Sequence, residues 1–192
     1  MITHIIWDLG DTINTPPPGG QDLKPIDLYD EIQLRPDVVL TLQALTDLSY
    51  KHAVLSNTAT SDSDAARRML ERFGIAHYFE FVYATQSELT EDKPEKPNPV
   101  VFNLVIDALG IRPEQAVVVG NSWDNDILGA NRSHIHAIWL NNNSVSVRRD
   151  VSSSVQSPPW IIPVWDVAAV PRALELLQSV LHGEAHHKDV ET

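Results

Sequence analysis

The 192-residue chain contains no cysteine, which excludes disulfides and any thiolate zinc site. It is poor in cations: 14 Lys and Arg stand against 26 Asp and Glu, a net charge of −12 with histidine neutral. That balance argues against a nucleic-acid backbone as a general partner, because binding to phosphates along a strand runs on Lys and Arg. It also means that an anionic small molecule must be drawn in by local cations, not by the overall field. No apolar run reaches the roughly 18 residues of a membrane helix. The sequence passes from Met1 straight into an apolar segment, so no leader peptide is expected. These absences lead to the expectation of a cytoplasmic protein with neither membrane nor nucleic-acid contacts.

What is present begins with Ile5-Ile6-Trp7-Asp8-Leu9-Gly10-Asp11-Thr12. An apolar run that ends abruptly on a carboxylate and a glycine reads as a strand buried on both faces of a parallel sheet. Open parallel sheets bind ligands beyond the carboxyl ends of their strands, so Asp8 stands where such sheets do chemistry. Two more apolar stretches end similarly: Ala53-Val54-Leu55 on Ser56-Asn57-Thr58, and Ala116 to Val119 on Gly120-Asn121-Ser122-Trp123-Asp124-Asn125-Asp126. Between them Lys96-Pro97-Asn98-Pro99 opens a helical run to Leu109. Neighbouring strand ends would gather a nucleophile, hydroxyl and amide donors, a cation and a second carboxylate. That is the equipment of phosphoryl transfer.

The pattern predicts strands near 2–7, 53–56, 81–84, 116–119, 137–140 and 160–164, and helices near 37–49, 61–73, 98–109, 125–133 and 168–181. Arg35-Pro36-Asp37 and Ser61 to Asp64 suit helix starts, and Gly74 and Gly110 suit helix stops. This alternation predicts an α/β fold: one doubly wound, Rossmann-like parallel sheet with helices on both faces, spanning residues 1–182. A length of 192 residues suits one such domain and not two sizeable ones. Residues 14–34, with Pro16-Pro17-Pro18-Gly19-Gly20, are expected to form a loop or short flap. An irregular loop over 141–159 and a polar, frayed tail over 183–192 complete the reading.

The four stretches, in this order and each at a strand end or helix start, resemble the motifs of the haloacid dehalogenase-like hydrolase superfamily. Asp8 to Thr12 is similar to its Asp-x-Asp-Gly-Thr motif and Ser56 to the Ser/Thr of the second. Lys96 to Phe102 is similar to Lys-Pro-x-Pro-x-x-Phe, and Gly120 to Asp126 to Gly-Asp-Ser-x-x-x-Asp. The resemblance implies that Asp8 is a nucleophile which also binds Mg²⁺, with the Gly10 carbonyl and Asp126 as further metal ligands, Asp126 having the alternative role of N-cap for a helix starting near Ile127; Asn121 either holds a metal-bound water or shapes the loop. It implies that Ser56, Asn57 and Lys96 hold the phosphoryl group, Lys96 also pairing with Asp8; Lys93 is the competitor. Two positions depart from the family. Its second Asp, the general acid and base, is replaced by Gly10, and the first carboxylate of the fourth motif is Asn121. Asp11 either takes over as proton donor or only shapes the turn, and Gly10 could serve a positive φ. Trp7 suits the core, and Trp123 suits the core or a pocket wall.

The resemblance further implies a capless member, since the intervals Asp8–Ser56 and Ser56–Lys96 leave little room for an inserted cap. Such a site is open unless a second subunit or the substrate itself covers it. The leading expectation is a Mg²⁺-dependent phosphatase of a small phosphate ester, working through an aspartyl-phosphate. The alternatives are a phospho-ligand-binding protein or weak pseudoenzyme, and a dehalogenase, which the shortage of cap-forming sequence disfavours.

Overall fold

The computed structural model describes residues 1–20, 23–86, 93–141 and 159–188, with residues 184–188 described by their backbone alone. Six strands form one all-parallel sheet in the order β3-β2-β1-β4-β5-β6. They are β1 His4–Trp7, β2 Lys51–Ser56, β3 Phe79–Ala84, β4 Ala116–Gly120, β5 His136–Leu140 and β6 Ile161–Val164. Chain direction across the sheet reverses at β1, which lies between β2 and β4. The crevice between β1 and β4 is therefore the topological switch point of a doubly wound sheet.

Alternation along β1 divides the core in two. Ile5 and Trp7 face α1 (Val38–Asp47), α2 (Ser63–Arg72) and α5 (Val170–Lys188). Ile6 faces α3 (Pro99–Leu109) and the short α4 (Gly129–Arg132). Burial of both faces explains why these strands read as unbroken apolar runs. Trp7 is fully buried, and its indole N–H donates to His52 Nδ1 at 3.0 Å, which settles it as a core residue.

Gly74 and Gly110 end α2 and α3 in the left-handed conformation, as expected. Asp62 caps α2, its carboxylate accepting from Ala65 N at 2.8 Å. Asp37 does not cap α1: it sits at φ 64° and its side chain makes no capping bond. The segment predicted as a helix near 125–133 is a π-helical turn, Trp123–Leu128, running into α4. At the chain's end α5 continues to Lys188 instead of fraying after 181, since Gly183 alone does not stop a helix whose next residues favour it. Most of the predicted loop 141–159 lies outside the described residues, as does the tail beyond 188.

The described residues of the 14–34 loop are anchored to the core. They carry two single 3-10 turns, Pro18–Gly20 and Ile26–Leu28, and their neck is closed by pairing of Asn14 with Leu34. Ile26, Tyr29 and Ile32 enter the core, and Arg68 and Arg72 of α2 bind Asp27 and the Tyr29 carbonyl. Among the described residues no inserted domain interrupts the elements, and no helix is long and apolar enough to cross a membrane.

Trp7 and His52 give the fold a pH dependence. His52 Nδ1 must accept, so Nε2 carries the proton, which Thr46 Oγ1 can take at 3.2 Å. Burial, aided by the nearby His4, pushes the His52 imidazole down from 6.5 to about 4. Between these values the unfolded chain binds a proton that the folded chain refuses. Stability from this site is therefore complete above about pH 6.5 and falls by about 3 kcal/mol as pH drops through 4. Denaturant midpoints across pH 4–7 should show this slope, and His52→Asn, which keeps an acceptor but cannot titrate, should flatten it. An unchanged slope in the variant would assign the acid sensitivity elsewhere.

Candidate active site

At the switch point the end of β1 delivers Asp8, whose N–H is still bonded to the Val119 carbonyl of β4 at 3.0 Å. The carboxylate is almost buried, and Oδ1 accepts from Lys96 Nζ at 2.7 Å and from Ser56 Oγ, at the end of β2, at 3.3 Å. Lys96 precedes α3 and is 3% exposed. Its ammonium also donates to the Leu55 carbonyl at 2.9 Å and to Asp126 Oδ1 at 2.6 Å. All three donor directions of the ammonium are thus used, on groups from β1, β2 and the turn after β4. This places Lys96, and not the half-buried Lys93, against Asp8.

Asp126 is held by local backbone geometry. Ser122 O accepts from both Asp126 N and Ile127 N, the wide turn that makes this stretch π-helical. Asp126 Oδ2 accepts from Ser122 N at 2.9 Å while Oδ1 reaches Lys96. The end of β4 is bare at Gly120 for this purpose: a Cβ there would collide with the Asp126 carboxylate. Capping of the turn belongs to Ser122, whose Oγ accepts from Asn125 N, so Asp126 is not an N-cap.

Two carboxylates against one ammonium leave the buried cluster one positive charge short. Burial, reinforced by Asp8, pushes the Asp126 carboxyl up to about 6 although Lys96 pulls it down. For Lys96 the two carboxylates outweigh its burial and hold the ammonium above the ordinary lysine range. The donors at hand are oxygens, the ligand type that Mg²⁺ takes, and among the described residues two carboxylates meet here, with no third acidic or histidine side chain beside them.

The geometry adds detail to the site and changes one expectation, the backbone of Gly10. The Asn57 side chain grips the backbone of Lys96: Nδ2 donates to Lys96 O and Oδ1 accepts from Lys96 N, each at 2.8 Å. Asn57 positions the lysine. Gly10 does not have a positive φ, and a Cβ there would meet no atom within 4 Å. The left-handed residue is Asp11, at φ 57°, and its carboxylate accepts from Arg35 Nη1 at 3.2 Å. Nothing in the sequence pointed to Arg35. Asn121 lies at the end of β4, where its carbonyl accepts from Trp139 Nε1 at 3.1 Å. Trp123 stacks edge-on against Trp139 at 4.9 Å and is partly buried against the core.

Comparison with known proteins gives a consistent picture. Residues 3–134 match the family model described as haloacid dehalogenase-like hydrolase. A glyceraldehyde 3-phosphate phosphatase of Methanopyrus kandleri is 40% identical over 99 residues, 51% of this chain and 39% of that protein. The enzyme of the same name from Methanothermobacter thermautotrophicus is 34% identical over 117 residues, 60% of this chain and 48% of its own length. The chain thus spans less than half the length of these curated relatives. An uncharacterized protein from Listeria monocytogenes serotype 4b, known by crystal structure, is 47% identical with a TM-score of 0.87, covering 93% of this chain and 99% of that one.

Proposed function

This chain belongs to the haloacid dehalogenase-like hydrolase family, and on that premise we propose that it is a Mg²⁺-dependent phosphatase of a small phosphorylated metabolite. The observation that carries the reading is the Lys96 ammonium bridging Asp8 and Asp126 at the switch point. The phosphatase names of two partial relatives support it.

In this reading Asp8 attacks phosphorus in line and forms an aspartyl-phosphate, which water hydrolyses. Ser56 donates its hydroxyl and Lys96 its charge to the phosphoryl oxygens, while Asn57 fixes the lysine backbone. Asp8, Asp126, the Gly10 carbonyl and Asn121 would hold Mg²⁺. Bound there, the metal would neutralise charge on the phosphoryl group. In this reading the protein works in the cytoplasm, and a second subunit or the substrate itself covers the open crevice. A binding protein or weak pseudoenzyme is the second reading, favoured by Gly10 and Asn121, which remove two carboxylates from the family pattern.

Phosphate release from a panel of phosphorylated metabolites, with Mg²⁺ or with EDTA, tests the proposal. Release that EDTA abolishes is expected; folded protein silent on the whole panel would favour the binding reading. Asp126→Asn should raise the half-saturating Mg²⁺ concentration by at least about tenfold, in activity and in calorimetric titration. An unchanged midpoint would confine Asp126 to anchoring Lys96.

A further inference from the structure

Resting on the reading of Asp8 and Lys96 as catalytic groups, we propose that Thr85, at the end of the edge strand β3, is a positioning residue for the reaction: its hydroxyl sets the turn that holds Ser56 and Lys96 against Asp8. Strands β2 and β3 pair as far as Ser56 and Ala84. One residue further, Thr85 N donates to the Ser56 carbonyl at 3.1 Å. The Thr85 hydroxyl then closes on the far side of the turn. Its Oγ1 accepts from Thr58 N at 3.1 Å and donates to the Thr58 carbonyl at 3.4 Å. One threonine thus brackets Ser56-Asn57-Thr58 at entry and at exit. The bracketed residues carry the contacts to the site. Ser56 Oγ donates to Asp8 Oδ1 at 3.3 Å, and the Asn57 amide grips Lys96 N and O, each at 2.8 Å.

The arrangement is buried: Thr85 is fully buried, and Ser56 and Thr58 nearly so. A hydroxyl has one donor and two acceptor directions, enough to serve both backbone groups of Thr58. Removing it breaks both of those bonds in a place where buried polar groups must be paired, so the turn moves to recover them. The turn is also tied from a second direction. Thr58 Oγ1 accepts from Gln86 N at 3.0 Å and donates to Ser61 O at 2.7 Å, and Ser61 Oγ accepts from Ile26 N at 2.8 Å. These ties outlast a change at Thr85, which therefore displaces the turn without dissolving it. A displacement at Asn57 passes to Lys96 through two hydrogen bonds. Misplacing a reacting group by about 1 Å can cost about 10²-fold. Ser56 and Lys96 act on charge that develops in the transition state, so the loss falls on kcat more than on KM.

The test compares Thr85→Val, which keeps the shape and the backbone N–H but not the hydroxyl, with Thr85→Ser, which keeps the hydroxyl. Thr85→Val should lower kcat for phosphate release at least about tenfold while KM changes less than about threefold. Thr85→Ser should return kcat to within about threefold of wild type. Because the effect runs through Asn57, adding Thr85→Val to Asn57→Ala should cost less than about threefold more. The Lys96 ammonium gives a second readout that needs no substrate. Its nitrogen NMR signal in the free protein should shift or broaden in Thr85→Val and return in Thr85→Ser. A lower melting temperature with kcat of the folded protein unchanged overturns the proposal and leaves Thr85 a structural residue. So does a double variant whose losses multiply, or a Lys96 signal that Thr85→Val does not move. If Thr85→Val does not fold, Thr85→Ala takes its place in each comparison. Silence of the wild type on every phosphate ester would instead remove the phosphatase reading, and the Lys96 signal alone would decide whether Thr85 holds the lysine.

Discussion

Asp8→Asn is expected to lower phosphate release by at least about 10⁴-fold and to leave the protein folded. An amide keeps the shape of the carboxylate and one oxygen that can accept from Lys96 and Ser56, but it is not a nucleophile toward phosphorus. The fold survives because the buried ammonium is not orphaned: Asp126 and the Leu55 carbonyl still receive it. Removing Asp8 also leaves one carboxylate against one ammonium, a balanced pair. Steady-state phosphate release and a thermal melt by circular dichroism check both halves. Residual activity within about tenfold of wild type would place the nucleophile elsewhere.

Lys96→Met should damage both function and fold. The ammonium joins Asp8, Leu55 and Asp126, so its loss strands two carboxylates beside each other in a buried crevice. Breaking a buried pair from one side costs about 3–5 kcal/mol, visible as a lower denaturant midpoint. Turnover should fall at least about a hundredfold in the protein that remains folded, because charge neutralisation at the reacting group is lost. Lys93→Met should change neither quantity appreciably. The opposite ranking would shift the lysine of the site by three positions.

The sheet and the order of its elements were legible in short-range pattern, and the gathering of Asp8, Ser56, Lys96 and Asp126 was legible in the resemblance of their four motifs. An apolar run that stops on a polar residue marks a strand end wherever it falls. What was not legible depends on register between distant segments. The Asn57 amide grips the Lys96 backbone across 39 positions, and Arg35 reaches Asp11 across 24. Neither pair has a sequence signature, since Asn beside Ser reads as a turn. The 14–34 segment, expected as a loop or short flap, gave no sign of its anchoring. Its prolines and glycines advertise a loop, whereas Ile26, Tyr29 and Ile32 bury themselves without a strand or helix period to announce it. The conformation at Gly10 was misjudged because glycine next to aspartate looks like the left-handed half of a turn; here the aspartate takes that conformation.

The missing side chain at Gly120 has a consequence for how this site can change. The Asp126 carboxylate occupies the volume that any other residue at 120 would claim. Strand and carboxylate are therefore mutually fitted, and the distance from the Asp126 backbone to Lys96 is set by one methylene. Glutamate at 126, ordinarily the mildest exchange for aspartate, would bring a second methylene into a space bounded by the backbone of β4. At this position the interchangeable unit is a pair of residues. A larger group at 120 and a different acid at 126 would have to arrive together, and an explorer of single substitutions would find each half of that path closed.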